Sequence, residues 1–153
     1  MRFDSKLFRS RRSRSAFSLV ELSVVVVIIG VVASFGIPRL LRSVEQAKAA
    51  EAFKFLTSIR YAQERNSMRS GEYSGTIADL DFSHAAPTYF SVGNVVPGST
   101  GSLEDSWRIT LTRTGASGGF GAYTVSFTDE GYDPSSSTIE SHPDIHPMSR
   151  KPL

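Results

Sequence analysis

Hydrophobic positions along the chain fall into three regimes. From Leu22 to Ile37 there is no charged residue, and this apolar run is bounded by Glu21 and Arg39. With residues 17–20 it reaches about 20 residues, enough to cross a hydrocarbon core as a helix. In lipid the backbone must satisfy its own hydrogen bonds, which imposes a helix on a Val- and Ile-rich stretch. Gly30 and Gly36 permit close approach of a neighbour, and Pro38 removes one ladder bond and should kink the helix.

From Arg39 the pattern becomes amphipathic. Leu40, Leu41, Val44, Ala47, Ala52, Phe55, Leu56, Ile59 and Ala62 recur at three- and four-residue steps, which predicts the core face of a continuing helix. Arg42, Glu45, Lys48, Glu51, Lys54, Arg60 and Glu64 are expected on the opposite face, with Glu45–Lys48 and Glu51–Lys54 as surface pairs. The helix is expected to end near Ser70, capped by Gly71. Residues 71–87 form a polar connector holding a short apolar turn at 77–80. Strands follow. Tyr89–Val92 and Val95–Val96 are split by Gly93 and Asn94. Trp107, Ile109 and Leu111 alternate with polar residues, as do Tyr123, Val125 and Phe127, predicting a hairpin across the glycine-rich link 115–121. The period-3.6 then period-2 order predicts an α+β chain in which a small antiparallel sheet packs on a long helix. Residues 129–153, rich in Ser, Pro and Asp, have no sustained period and are expected to be surface loop, partly ordered by contact.

Composition narrows the chemistry. The 153 residues suffice for one domain plus an anchor, and no cysteine is present, so disulfides, thiol nucleophiles and cysteine metal sites are excluded. No nucleophile-elbow pattern or zinc-protease helix motif occurs, and the glycine-rich link joins strands instead of opening a helix, so phosphate binding lacks its context. His142, Asp144 and His146 lie close in sequence, but between prolines, and a solvated tail outweighs a metal site there. Asp129, Glu130 and Asp133 surround Gly131 in an oxygen-rich loop, which makes Asp129 and Asp133 weak candidates for calcium. Trp107 and Tyr123 are expected in the core. Arg9, Arg11, Arg12 and Arg14 precede the apolar run and place that end on the cytoplasmic side. Glu21 stands at the head of the run, where a carboxylate is costly unless paired or protonated, and so marks function; an interfacial glutamate is the plainer alternative.

A basic leader, Ala16, then Phe17-Ser18-Leu19-Val20-Glu21-Leu22 and a β-branched run to Gly36-Ile37-Pro38 resembles the start of type IV prepilins and type II secretion pseudopilins. The resemblance covers about the first quarter of the chain. It implies cleavage by a membrane peptidase between Ala16 and Phe17, N-methylation of Phe17 by the same enzyme, and assembly roles for Glu21 and Pro38. Glycine is commoner than alanine before the cut in that family. Loss of the leader would leave eleven basic and fourteen acidic residues, a net charge of −3, so the leader's arginines read as a topology signal and no electrostatic footprint for nucleic acid remains. Many pilins close their C-terminal loop with a disulfide, which this chain cannot, and that favours pseudopilins or cysteine-free pilins. The major pseudopilins carry calcium in that loop, but their loop motif is not matched cleanly here.

The division is then a cleaved leader at 1–16, a transmembrane and filament-core helix at 17–38, an amphipathic half at 39–70, connector and sheet at 71–128, and a loop-rich tail at 129–153. The resemblance implies a non-enzymatic, single-pass inner-membrane protein of bacteria, with a periplasmic domain that enters a periplasmic or extracellular filament. It is expected to serve in type II secretion, with a motility, adhesion or DNA-uptake pilin as the alternative. Implied partners are other pilins or pseudopilins, the prepilin peptidase and methyltransferase, and, indirectly, a platform protein and an assembly ATPase. Two rivals stand outside that family. One is an ordinary secretory signal cut after Val31-Val32-Ala33, and the other is a single-span anchor carrying a periplasmic binding or enzymatic domain.

Overall fold

The computed structural model describes residues 17–115 and 119–149. The leader, with Ala16, and residues 116–118 of the glycine-rich link lie outside them. One α-helix, α1 (Leu19–Ser70), contains Pro38 without ending there. The chain forms two units that divide after Ile37.

In the first unit Ser18 caps the helix. Its hydroxyl accepts the Val20 N–H at 3.3 Å, and its carbonyl accepts the Leu22 N–H at 3.1 Å. Ser23 and Ser34 turn their hydroxyls back onto the carbonyls of Val20 and Val31, both at 2.7 Å. These two polar groups are thereby satisfied within the helix and present little unpaired polarity to an apolar surrounding.

In the second unit α1 lies against a sheet of β1 (Phe90–Val92), β2 (Val96–Pro97), β3 (Trp107–Arg113), β4 (Thr124–Thr128) and β5 (Gly131–Tyr132). The order is β1-β3-β4-β5, all antiparallel, and β2 also pairs with β3. The two halves split by Gly93 and Asn94 therefore share one partner strand. Ile109 faces Phe127 and Leu111 faces Val125 in the predicted hairpin. The odd-numbered residues of β3 are buried against the helix and the even-numbered ones are not, as period two requires.

The helix stripe begins later than its periodicity suggested. Leu40, Leu41, Val44 and Ala47 are exposed, and Leu41 retains 45% of its surface. The buried stripe runs through Glu45, Ala49, Ala52, Leu56, Ile59 and Gln63, with Phe53, Phe55 and Ala62 beside it. The three- and four-residue spacing holds, but only the turns from Glu45 onward have strands to cover them. Placing Glu45 on the polar face was therefore wrong.

α1 ends as expected. Gly71 has φ of 85° and donates to the Ser67 carbonyl at 2.8 Å. Gln63, fully buried, clamps the connector at two points: its amide donates to the Ser74 carbonyl, and its oxygen accepts the Ser74 N–H, both at 2.8 Å. The apolar turn at 77–80 is a single 3-10 turn, Ile77–Asp79, followed by buried Leu80.

The tail differs most from its sequence reading. It supplies β5, a 3-10 turn at Thr138–Ser141, and two core side chains with no exposed surface, Ile139 and Ile145. It also completes the outer edge of β4. The Ser126 N–H donates to the Ser137 hydroxyl at 2.9 Å, the Thr124 N–H to the Thr138 hydroxyl at 2.8 Å, and Asp133 N–H to the Ser126 carbonyl at 3.0 Å. Hydroxyls stand there where a further strand would supply carbonyls. Period counting sees none of this, because isolated isoleucines among serines and prolines have no period.

Candidate assembly site

Phe17 and the residues up to Ile37 form a fully described segment whose large apolar side chains are all exposed. By length and composition α1 can cross a membrane, and its most apolar window has no buried residue. Glu21 lies in the first turn, where the amide ends of a helix favour a negative charge. Among the described residues no cation lies within ion-pair distance of it. Pro38 sits where the second unit begins and deprives the Ser34 carbonyl of its helical partner. Of the processing pair, Phe17 is exposed and Ala16 is outside the described residues.

A second cluster, not anticipated, forms at the first buried turn of the helix. Arg113 reaches Glu45 through two parallel bonds, Nε to Oε1 at 2.5 Å and Nη2 to Oε2 at 3.1 Å. The Tyr123 hydroxyl donates to Oε1 at 3.0 Å, and Lys48 Nζ lies 3.3 Å from Oε2. Arg113 Nη1 donates to the carbonyls of Tyr89 and Thr114. Glu45 is 3% exposed. Burial alone would raise its carboxyl, but the hydrogen bonds from Arg113 and Tyr123, the Arg113 charge and the bond from Lys48 outweigh burial and hold it below its ordinary value. The same contact with Glu45 raises Arg113, against the effect of burial, while burial first and the Glu45 charge second raise Tyr123. The signal for Arg113 was present in the sequence: it continues the odd-numbered register of Trp107, Ile109 and Leu111.

The suggested metal residues do not converge. His142 packs its ring near Phe120 and Tyr123, Asp144 pairs with Arg42 at 3.6 Å, and His146 lies 3.2 Å from Glu140 and 3.1 Å from the Tyr132 hydroxyl. Asp129, Glu130 and Asp133 line an open cavity of about 380 Å³, but Arg108 lines it too. The Asp133 carboxylate is taken by the Ser135 hydroxyl and N–H, at 2.6 and 2.9 Å, and the Ser135 hydroxyl bond leads the contacts that lower its pKa. Among the described residues no three acidic or histidine side chains are grouped to hold a metal.

Residues 11–37 match a family model described as the prokaryotic N-terminal methylation motif. The type II secretion system core protein G of Vibrio cholerae serotype O1 (strain ATCC 39315 / El Tor Inaba N16961) is 31% identical over 80 residues, covering 52% of this chain and 55% of that protein. Core protein G of Aeromonas hydrophila is 31% identical over 78 residues, 51% of this chain and 54% of its own. The chain thus spans about half the length of the curated relatives it matches. A solved type IV pilin from Shewanella oneidensis is 20% identical with a TM-score of 0.44, covering 60% of this chain and 93% of that one. The methylation motif thus stands at the head of an exposed apolar helix, and about half of the chain is similar to the core protein G chains of type II secretion.

Proposed function

We propose that this chain is a structural, non-catalytic subunit of a type IV pilus-like filament, of the type II secretion pseudopilin kind. The observation that carries the reading is Glu21: a carboxylate in the first turn of an exposed apolar helix, inside the matched motif and four residues after Phe17. Before assembly the apolar segment spans the inner membrane, with the basic leader in the cytoplasm and the unit from Pro38 in the periplasm. A prepilin peptidase cuts between Ala16 and Phe17 and methylates the new amine, which keeps its charge.

That ammonium and Glu21 are each costly near lipid. The amine of one subunit neutralises the carboxylate of its neighbour, an attraction of about 4 kcal/mol at 4 Å and an effective dielectric constant near 20. The pairing fixes the axial offset between copies, since one offset satisfies both charges. The side chains of 17–37 exchange lipid for the helices of neighbours. A platform protein and a cytoplasmic ATPase drive the process, and extension pushes cargo.

The test is intact mass and N-terminal sequencing of the membrane-extracted protein, beside filament recovery, for the parent chain and Glu21→Ala. The reading expects methylated Phe17 at the terminus of both and filaments from the parent alone. A terminus at Met1 or Ser34 would overturn it, and normal filaments from Glu21→Ala would remove the pairing role.

A further inference from the structure

The buried stripe of α1 and the buried register of β3 each contain one charge, and the two charges meet. On the helix the stripe is Glu45, Ala49, Ala52, Leu56, Ile59 and Gln63. On the strand it is Trp107, Ile109, Leu111 and Arg113. We infer that Glu45 and Arg113 act as a register key, selecting which turn of α1 lies under β3.

Apolar packing specifies that choice weakly at this end of the helix. The two stripe residues after Glu45 are alanines, whose single methyl groups fit a neighbour's surface at more than one height. One turn before Glu45 on the same stripe stands Leu41, exposed and apolar. Sliding the helix by one turn, about 5 Å, would bring Leu41 or Ala49 under Arg113 with little offence to the hydrophobic pattern. With Leu41 there, the Glu45 carboxylate and the Arg113 guanidinium would both be buried and apart; with Ala49 there, Glu45 would move out to the exposed turn and Arg113 would stay buried without its partner, and either outcome is strongly unfavourable.

Each half of the key is held in place by its own element. Arg113 is tied to the sheet by the carbonyls of Tyr89 and Thr114. Glu45 is steadied from its own helix by Lys48, whose ammonium also sits 4.6 Å over the Tyr89 ring. The parallel two-bond geometry fits at one height only. A buried ion pair of this kind commonly adds little net stability over an apolar pair of similar volume, while its geometry is exacting. The pair is therefore assigned to positioning. In a filament of the kind proposed above, every copy would then present its exposed helix face at the same height. That consequence rests on the filament reading; the register itself does not.

The experiment uses the absence of native cysteine. Nitroxide labels are placed at Glu51→Cys on the exposed helix face and Thr88→Cys before β1, both exposed positions, in the full-length protein in detergent. Pulsed electron-spin distances and thermal melting are compared for the labelled parent and for labelled Glu45→Met/Arg113→Met. The key predicts a single narrow distance distribution in the parent. In the double variant it predicts retained melting with a second population at a different distance, shifted by up to about 5 Å, the axial rise of one helical turn. Retained melting with one unchanged distribution would overturn it, because packing alone would then set the register. Should the double variant fail to fold, Arg113→Lys decides. Lysine keeps the charge and loses the fork, so a broadened distribution supports the key and an unchanged one refutes it.

Discussion

Ile145 tests whether the C-terminal segment belongs to the core. Its side chain is fully buried although its neighbours in sequence are polar or proline. Ile145→Ala removes three carbons. At about 0.8 kcal/mol per buried carbon, the transfer loss is roughly 2.4 kcal/mol. A cavity contribution brings the total to about 3 kcal/mol, within the usual range for such truncations. Urea unfolding of the full-length protein in mild detergent reports the loss through Trp107, the single tryptophan, which is itself fully buried. With a slope of about 2 kcal/mol/M, the midpoint should fall by roughly 1.5 M without a change in slope. Ile145→Val, losing one carbon, should cost only about 1 kcal/mol. A shift in Ile145→Ala equivalent to less than about 0.5 kcal/mol, the usual cost of a surface change, would show that the segment merely lies on the surface and would refute the reasoning.

Other expectations follow from polar contacts. Because the folded-state pKa of Glu45 is depressed, its contribution to stability is fully present above its ordinary value of 4.5 and lost as pH falls below it. The parent should therefore lose stability below that pH more steeply than Glu45→Gln, and parallel acid melting curves would deny the shift. Gln63→Ala leaves the Ser74 N–H and carbonyl without their buried partners, so a loss of about 2–3 kcal/mol is expected by urea unfolding; a neutral result would mean that the clamp is dispensable. Calcium should leave the melting temperature unchanged, since Arg108 shares the cavity of Asp129 and Asp133 and Ser135 holds the Asp133 carboxylate. A calcium-dependent rise abolished by Asp133→Asn would reverse that expectation.

How far the fold could be read in advance depended on whether neighbouring positions repeat. Trp107, Ile109 and Leu111 announce a strand because every second residue faces the helix, and Gly71 announces a helix end because a positive φ favours glycine. Glu21 and Phe17 stand out through local sequence alone. Glu45 did not, since a charged residue three before a lysine on a helix is ordinarily a surface pair. Its burial depends on Arg113, 68 positions later. The exposed Leu40, Leu41 and Val44 misled for the converse reason: apolar side chains mark a face, but nothing local says where the covering sheet stops. Ile139, Ile145 and the hydroxyls of Ser137 and Thr138 acquire their roles only once the tail folds back along β4.

Those hydroxyls bear on solubility as well as on folding. An open sheet edge is a template on which another strand can grow, and chains kept at high local concentration are the most exposed to that hazard. Here the amides of Thr124 and Ser126 on the outer side of β4 are already engaged by the chain's own serine and threonine. The opposite edge is made of β1, three residues long, and β2, two residues long and ending in a proline. Both edges are thus poor seeds for cross-strand aggregation, so in the filament proposed above copies would crowd together through their helices while their sheets remained unlinked.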